Sequence, residues 1–557
     1  MPAVTHRTFL SALTVLSAAL LLSTSARAAT TPATAVPASC GVTLDQKAWM
    51  FQGEQGFYYY GDELSGRWMN RPWNEARAAF VPAAVTLAAA LKTHGVTLVL
   101  APVPPRSFAQ PHLNLQNPTQ KAFDLPGAQG FYRALVSDLR AAGLPTADLL
   151  APALAQGDAG VFRQDIHWTP EGAQAAARAT ADAVRAAGQK AGSAPFVSLR
   201  AGTLTRQVQD QPVLGQIQTL CGLTVPPETY SDYQAVPAAP LVAGAGNFGA
   251  SEGTVRWAFG PVATVSFVTA SAGKVTVNAT FETPIAGQSV EVLSGGKVID
   301  TISGLKRGEN VTRAWTVDAA AGQNSLDLRF ADYNGGQTSF APGDGRPMAV
   351  IFKTLNVQGS GNSADLIKLQ ASGDLLGGAA DTVLVGASSS LPSLNYAGFL
   401  QTELSRRIDN VSFGGAGVFS SLKDYLLDEA YALSKPGTLI WQIPLLGGDD
   451  TAESDLRFVT AAARGAGAEV SRASGAGSAR VTVPGLTAGA ARVRVSDPAT
   501  RTVTIKVTSD RGTREFRVTN SERMTHRQEF LLDLSGLGTV TAVEAAATGT
   551  LDLNVVK

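Results

Sequence analysis

Two short segments carry side chains that could do chemistry together. In Gln164-Asp165-Ile166-His167-Trp168-Thr169-Pro170-Glu171, a carboxylate and an imidazole lie two residues apart, just before a helix start. On an extended backbone residues i and i+2 share a face. Asp165 can then hydrogen-bond one ring nitrogen of His167 and fix the tautomer, leaving the other nitrogen as a general base. Four histidines lie beyond residue 28, and His167 alone has an acid and an aromatic beside it in sequence. Taken alone, the pair is equally well explained as a structural contact at a helix start. The second segment is Val383-Leu384-Val385-Gly386-Ala387-Ser388-Ser389-Ser390, a buried-strand pattern ending in Gly-x-Ser. Such a turn lifts a hydroxyl to the carboxyl end of a strand, where open α/β sheets bind ligands and amides can stabilise an oxyanion. It resembles a nucleophile elbow without the second glycine of Gly-x-Ser-x-Gly, and serine is also common in ordinary turns.

Length and charge bound what this chemistry can act on. The 557 residues suffice for three or four domains at roughly 100–200 residues each. Lys+Arg 45 and Asp+Glu 45 cancel, and only 16% of residues are charged. That balance lacks the basic excess on which nucleic-acid binding draws, so nucleic acid is excluded as a partner. The 56 glycines and 29 prolines are spread between apolar runs, which is the texture of many short strands and turns.

Residues 1–28 carry Arg7, an apolar stretch over 9–22 and the small-residue site Ala26-Arg27-Ala28. This order predicts a signal peptide cut after Ala28, since an apolar run of about 14 residues falls short of the roughly 20 a spanning helix needs. No later segment has spanning length, so a periplasmic or secreted protein is expected. Cys40 follows Pro37-Ala38-Ser39 well past the apolar run, which argues against lipid attachment there. In an oxidising compartment Cys40 and Cys221 are the only possible pair, and a disulfide is expected. No closely spaced ligand set predicts a metal.

The elements that must position the two segments follow from periodicity. Residues 80–95, 130–143 and 172–188 have helical apolar spacing, the last opened by Thr169 as N-cap with Pro170 in the first turn. The run 96–104 is a buried strand. Strands alternating with helices predict an α/β unit with a parallel sheet. From 236 to 358 the pattern turns to period-two alternation with glycine turns, the mark of a β-sandwich. The α/β texture then returns, with a strand over 381–390, a helix over 395–408 and a strand over 437–446. A last all-β stretch, 465–557, predicts a C-terminal β-sandwich. The expected organisation is an α/β domain over 40–235 and 359–464 interrupted by the inserted sandwich 236–358.

Together the segments DIHWTPEGA, VGASSSLPSLNYAGFL, GGAGVFSSLKDYL and GTLIWQIP, in this order, resemble the SGNH-hydrolase-like domain of the AlgX/AlgJ family of alginate O-acetylation proteins. CGVTLDQKAWMFQGEQGFYYYGDEL and LVLAPVPPRSF are similar to it as well. The resemblance implies a Ser-His-Asp triad with Ser388 as nucleophile, His167 as base and Asp165 as orienting acid. It also agrees with the Cys40–Cys221 disulfide. For the oxyanion hole, the Ser388 amide joined by an amide from 414–417, Gly417 among them, or by the Asn395 side chain is the candidate set. Asn395 can equally cap the following helix, and the glycines can simply make a turn. The chain departs from the family pattern at Gly-Ala-Ser388, where relatives commonly carry Gly-Thr-Ser, and in the gap of about 220 residues between His167 and Ser388, which the inserted sandwich explains.

The implied function is a periplasmic or secreted O-acetyltransferase acting on an exopolysaccharide through an acyl-enzyme, with a membrane-bound acetyl-donating partner and no cofactor of its own. A carbohydrate acetyl esterase with the same triad and a non-catalytic polysaccharide-binding scaffold are the alternatives. Either sandwich could bind carbohydrate. The insert holds Trp257, Trp315 and Tyr333, and its segment FADYNGGQTSFAPGDGRPMAVIFKTLNV resembles the closing part of galactose-binding-like jelly rolls. Trp257 and Trp315, on alternating strands, are expected in the core. No Trp or Tyr follows residue 465, so the C-terminal sandwich is expected to be structural.

Overall fold

The computed structural model describes residues 38–190, 197–207, 212–237, 241–252, 254–269, 272–341, 344, 346–359, 362–367, 381–448, 452–465 and 467–557. The expected signal peptide, 1–28, lies outside them.

At the centre is a four-stranded parallel sheet in the order Asp409–Asn410, Thr382–Val385, Thr438–Pro444, Thr97–Val103. Its three longer strands are largely apolar because both faces are covered. Leu98, Leu100, Val383, Val385, Leu439 and Trp441 join one core, with the helices Trp73–Lys92, Leu125–Ala141 and Ala452–Arg464. Val99, Ala101, Leu384 and Ile440 join the other, with Pro170–Ala186 and Tyr396–Leu404. The helix expected from residue 80 begins at Trp73. Its polar first turn, with Asn74, Glu75 and Arg77, hides the amphipathic repeat. Cys40 pairs with Cys221 at a Cα separation of 5.5 Å, fastening the helix Ala38–Lys47 to Pro212–Cys221.

Strands between Leu241 and Asp365 build two antiparallel sheets. Trp315 is buried there, and its indole N–H donates to Asp300 at 2.8 Å. The expectation that Trp257 also lies in the core is corrected. Val255–Phe259 alternates so that Arg256 and Ala258 face inward, while Trp257 is half-buried beside Phe340 at 6.2 Å between ring centroids. A guanidinium can take the inward position because the carbonyls of Gly249 and Leu366 accept from Arg256 at 2.8 Å each, which satisfies donors that burial would otherwise strand. Burial lowers the Arg256 pKa to about 10.

The C-terminal strands form one six-stranded sheet that doubles over on itself. The long strands Glu469–Leu486 and Val540–Val556 pair along their length. The register shift between Ala476 and Ser478 lets Val540–Val556 pair with Thr502–Ser509 at one end and with Ala490–Val495 at the other. This sheet shares a continuous apolar core with the parallel sheet. Buried Lys423 bridges the junction, donating to Asp455 at 2.6 Å and to the Thr519 carbonyl at 2.8 Å. Asp424 accepts the amides of Thr525 and His526 at 3.1 and 2.9 Å.

His526 also lies 3.6 Å from Asp428, and chiefly through that carboxylate its pKa is raised above the ordinary value of 6.5. The charged ring therefore strengthens the junction fully below about pH 6.5, and this contribution is lost as pH rises through the higher folded value. Protection factors for amide exchange at 519–527, which remove the intrinsic pH dependence, are expected to fall in the wild type as pH rises from about 6.5 through the raised folded value. A His526→Gln protein should show no such step.

Candidate active site

Asp165 and His167 do not sit on the extended segment their spacing suggested. Residues 160–169 form a tight loop closed by Phe162 N–H to His167 O at 3.1 Å and Thr169 N–H to Gly160 O at 3.1 Å. Within it Asp165 makes an Asx turn. One carboxylate oxygen accepts the His167 amide at 3.0 Å and also the His167 Nδ1 position. A short polar side chain folding back on the amide two residues on is a local motif, so the carboxylate reaches the imidazole without an extended backbone. Thr169 then starts the next helix as N-cap, accepting from Gly172 at 3.2 Å, with Pro170 in the first turn. Gly172 is required because a Cβ there would collide with the Gly160 carbonyl.

Ser388 opens a 3-10 turn, Ser388–Ser390, at the carboxyl end of Thr382–Val385. Its hydroxyl lies 2.7 Å from His167 Nε2. The side chains of Asp165 and His167 are 5% and 14% exposed, which keeps the pair largely out of water. Two residues that sequence reasoning missed hold the serine turn. Gln442 is fully buried on Thr438–Pro444, and its Oε1 accepts Ala387 N–H at 2.9 Å and the Ser390 hydroxyl at 3.3 Å. Asn410 donates to Ser390 O at 2.7 Å. Gly386 is needed for contact and not for backbone freedom, since a Cβ there would lie 2.9 Å from both Gln442 Cβ and Ser390 Oγ. Gln442 was detectable as the one polar residue inside the apolar run GTLIWQIPLL; Asn410 left no comparable mark.

Both proposed oxyanion partners are turn residues with a left-handed backbone. Asn395 adopts a left-handed backbone, φ 58°, before Tyr396–Leu404, and its side chain makes no capping bond. Gly417 is an exposed turn residue with φ 57°. Among the described residues neither hydrogen-bonds Ser388 or His167. The Gly414 carbonyl accepts from Arg523, on the turn between the strands Gly512–Thr519 and Glu529–Asp533, at 2.6 Å.

A cleft lined by Val103, Pro104, Ile166, Trp168, Gly172 and Ser389 opens beside the site. Trp168 packs on Tyr396 at 4.9 Å. Burial raises the Tyr396 phenol pKa well above its ordinary value, so this group stays neutral and is no rival base. Among the described residues no cluster of three His, Cys, Asp or Glu side chains could hold a metal. The arrangement can move a proton from a serine hydroxyl to a tautomer-fixed imidazole and store it beside a carboxylate, which is the chemistry of nucleophilic acyl transfer.

Gln442→Leu removes the acceptor for a buried amide, a loss of about 1–3 kcal/mol. A lower thermal unfolding temperature is the expected result. An unchanged one would show that the turn holds without it.

Comparison with known proteins gives a consistent picture. The family model for the SGNH hydrolase-like domain of acetyltransferase AlgX matches residues 46–254 and 337–445. The alginate biosynthesis protein AlgX of Pseudomonas putida is 35% identical over 135 residues, 22% of this chain and 28% of that protein. The protein of that name from Azotobacter vinelandii is 36% identical over 77 residues, 14% of this chain and 16% of its own length. These matches span less than a third of either relative. The solved structure of Pseudomonas aeruginosa AlgX superposes with a TM-score of 0.53 at 16% identity, covering 91% of this chain and 94% of that one. It shares the fold.

Proposed function

Because the chain belongs to the SGNH hydrolase-like AlgX acetyltransferase family, we propose that it is an exported O-acetyltransferase that modifies polysaccharide hydroxyls through Ser388, His167 and Asp165. The observation that carries the reading is the line of contacts from Ser388 Oγ to His167 Nε2 at 2.7 Å and from His167 Nδ1 to Asp165. In the proposed cycle His167 takes the hydroxyl proton as Ser388 attacks the donor's acetyl carbonyl. The oxyanion is met by the Ser388 amide, the imidazolium protonates the leaving donor oxygen, and acetyl-Ser388 remains. A sugar hydroxyl then gives its proton to His167 and attacks the acetyl-serine. Collapse forms the new ester and returns the proton to Ser388. Asp165 stabilises the imidazolium in both halves without taking the proton.

Export is supported by the Cys40–Cys221 pairing, since disulfides persist in oxidising compartments. Acyl-coenzyme A is not expected there, so we assign donation of the acetyl group to a membrane-bound partner. The inserted sandwich is the proposed glycan platform. Outward from its sheet, Thr276 meets Thr316 at 2.9 Å, Thr280 meets Thr312 at 3.1 Å and Asn278 meets Gln358 at 3.2 Å, in the same sheet as half-buried Trp257. Hydroxyl and amide groups with an aromatic face suit a polysaccharide of little charge, in keeping with the chain's zero net charge.

The test is aryl acetate turnover with and without an oligosaccharide acceptor. Acetylated oligosaccharide is expected from the wild type and none from Ser388→Ala, while Asp165→Asn should lose roughly 10⁴-fold in rate. Acetate release that ignores the acceptor would make the protein an esterase. Trp257→Ala should weaken binding of a neutral oligosaccharide about tenfold, measured by calorimetry. Unchanged binding would remove the platform from the account.

A further inference from the structure

The loop that presents Asp165 is gripped by a buried guanidinium, Arg106, and by a half-buried carboxylate, Glu228. Arg106 follows the strand Thr97–Val103 and is 2% exposed. Its Nε and one terminal nitrogen donate to the two oxygens of Glu63, each at 3.0 Å. The other terminal nitrogen donates to the carbonyls of Phe162 at 2.8 Å and Arg163 at 2.9 Å. The Tyr58 carbonyl takes the remaining N–H. All five guanidinium donors are thereby used, in the fork geometry that lysine cannot copy. From the opposite side Glu228 accepts the amides of Arg163 at 3.0 Å and Gln164 at 2.7 Å. Tyr58 N–H adds a bond to Arg163 O at 2.9 Å.

Burying an ion pair such as Arg106 with Glu63 costs several kcal/mol of desolvation per ion. Here that cost falls on three residues ending immediately before Asp165, where a surface loop would have used water. Burial opposes the Arg106 charge, but the Glu63 carboxylate, with a smaller contribution from Asp165, overrides it and raises the pKa. Burial raises the Glu228 pKa, against the two amides that favour its anion. Glu228 lies on the stretch leaving the helix Pro212–Cys221, so the disulfide tethers this side of the grip.

We propose that Arg106 and Glu228 are positioning residues, a cationic clamp on the carbonyls and an anionic clamp on the amides of 162–164, that hold Asp165 against His167 Nδ1. The proposal rests on the catalytic reading of His167 for its consequence in rate, but not for its consequence in geometry. A loosened loop lets the carboxylate leave Nδ1, and the imidazole then populates both neutral tautomers, one of which cannot accept the Ser388 proton at Nε2.

The test uses full-length protein labelled with ¹⁵N-histidine, with His167→Gln assigning the resonance. Long-range ¹H–¹⁵N spectra report the tautomer directly. The variants are Arg106→Lys, Glu228→Gln and the pair Glu63→Gln with Arg106→Met, which leaves no buried ion unpaired if the single change unfolds the chain. Wild type is expected to hold the proton on Nδ1 alone. The folded variants should show mixed tautomers, with kcat for an aryl acetate reduced roughly 10- to 100-fold and KM unchanged. Folded variants that keep the single Nδ1–H tautomer overturn the proposal, whatever their rates. Absence of Ser388-dependent turnover in the wild type would sink the catalytic reading instead, and the tautomer spectra would still decide the clamp.

Discussion

A hydroxyl and an imidazole separated by 221 residues of sequence can meet at 2.7 Å only if the parallel sheet closes across the inserted strands. The strand Thr438–Pro444 performs that closure. It pairs with Thr97–Val103 on one side and Thr382–Val385 on the other, matching Trp441 to Leu100 and to Val385. Every residue of the seam is apolar except the ends and Gln442. Burial of both faces fixes the register, because a slip of one residue would exchange the side chains of the two cores. The serine side and the histidine side of the site are thus set by one hydrophobic constraint, and the inserted sandwich can be large without disturbing it.

On that frame the polar site is expensive, and its surroundings show how the expense is met. Asp165, Arg106, Glu63 and Gln442 are all buried, each with hydrogen-bond partners on the main chain or on an opposite charge. Buried polar networks rigidify a structure when they are satisfied and destabilise it when they are not. The serine turn leans on the neighbouring strand through Gln442, and the aspartate loop leans on Arg106 and Glu228. Two independent supports therefore converge on one line of contacts, Ser388 to His167 to Asp165, and neither support touches the Ser388 hydroxyl or the His167 ring.

Much of this was legible in the residues. The continuous apolar runs marked the parallel sheet, and Thr169-Pro170 marked the helix behind the histidine. The pairing of Cys40 with Cys221 followed from there being no other cysteine. What stayed hidden depended on long-range contacts or on parity. Trp257 and Arg256 are adjacent, and hydropathy alone chose the wrong one for the interior because it could not see the two carbonyls awaiting Arg256. The Asx turn at Asp165 produced the same meeting of side chains as an extended strand, so spacing could not distinguish them. Arg106 and Glu228 sat unremarked in PPRSF and PPETY, since a clamp assembled from residues 58, 63, 106 and 228 leaves no local pattern.

The central claim is that Ser388 carries the acyl group during turnover. Rapid acid quenching of the protein mixed with an aryl acetate, followed by peptide mass spectrometry, tests it without reference to the eventual acceptor. An acetyl group on the Ser388 hydroxyl, formed within the first turnover and cleared when acceptor is added, is the predicted result. Turnover with no acetyl on Ser388 at any quench time, or acetylation that persists in the presence of acceptor, would contradict it.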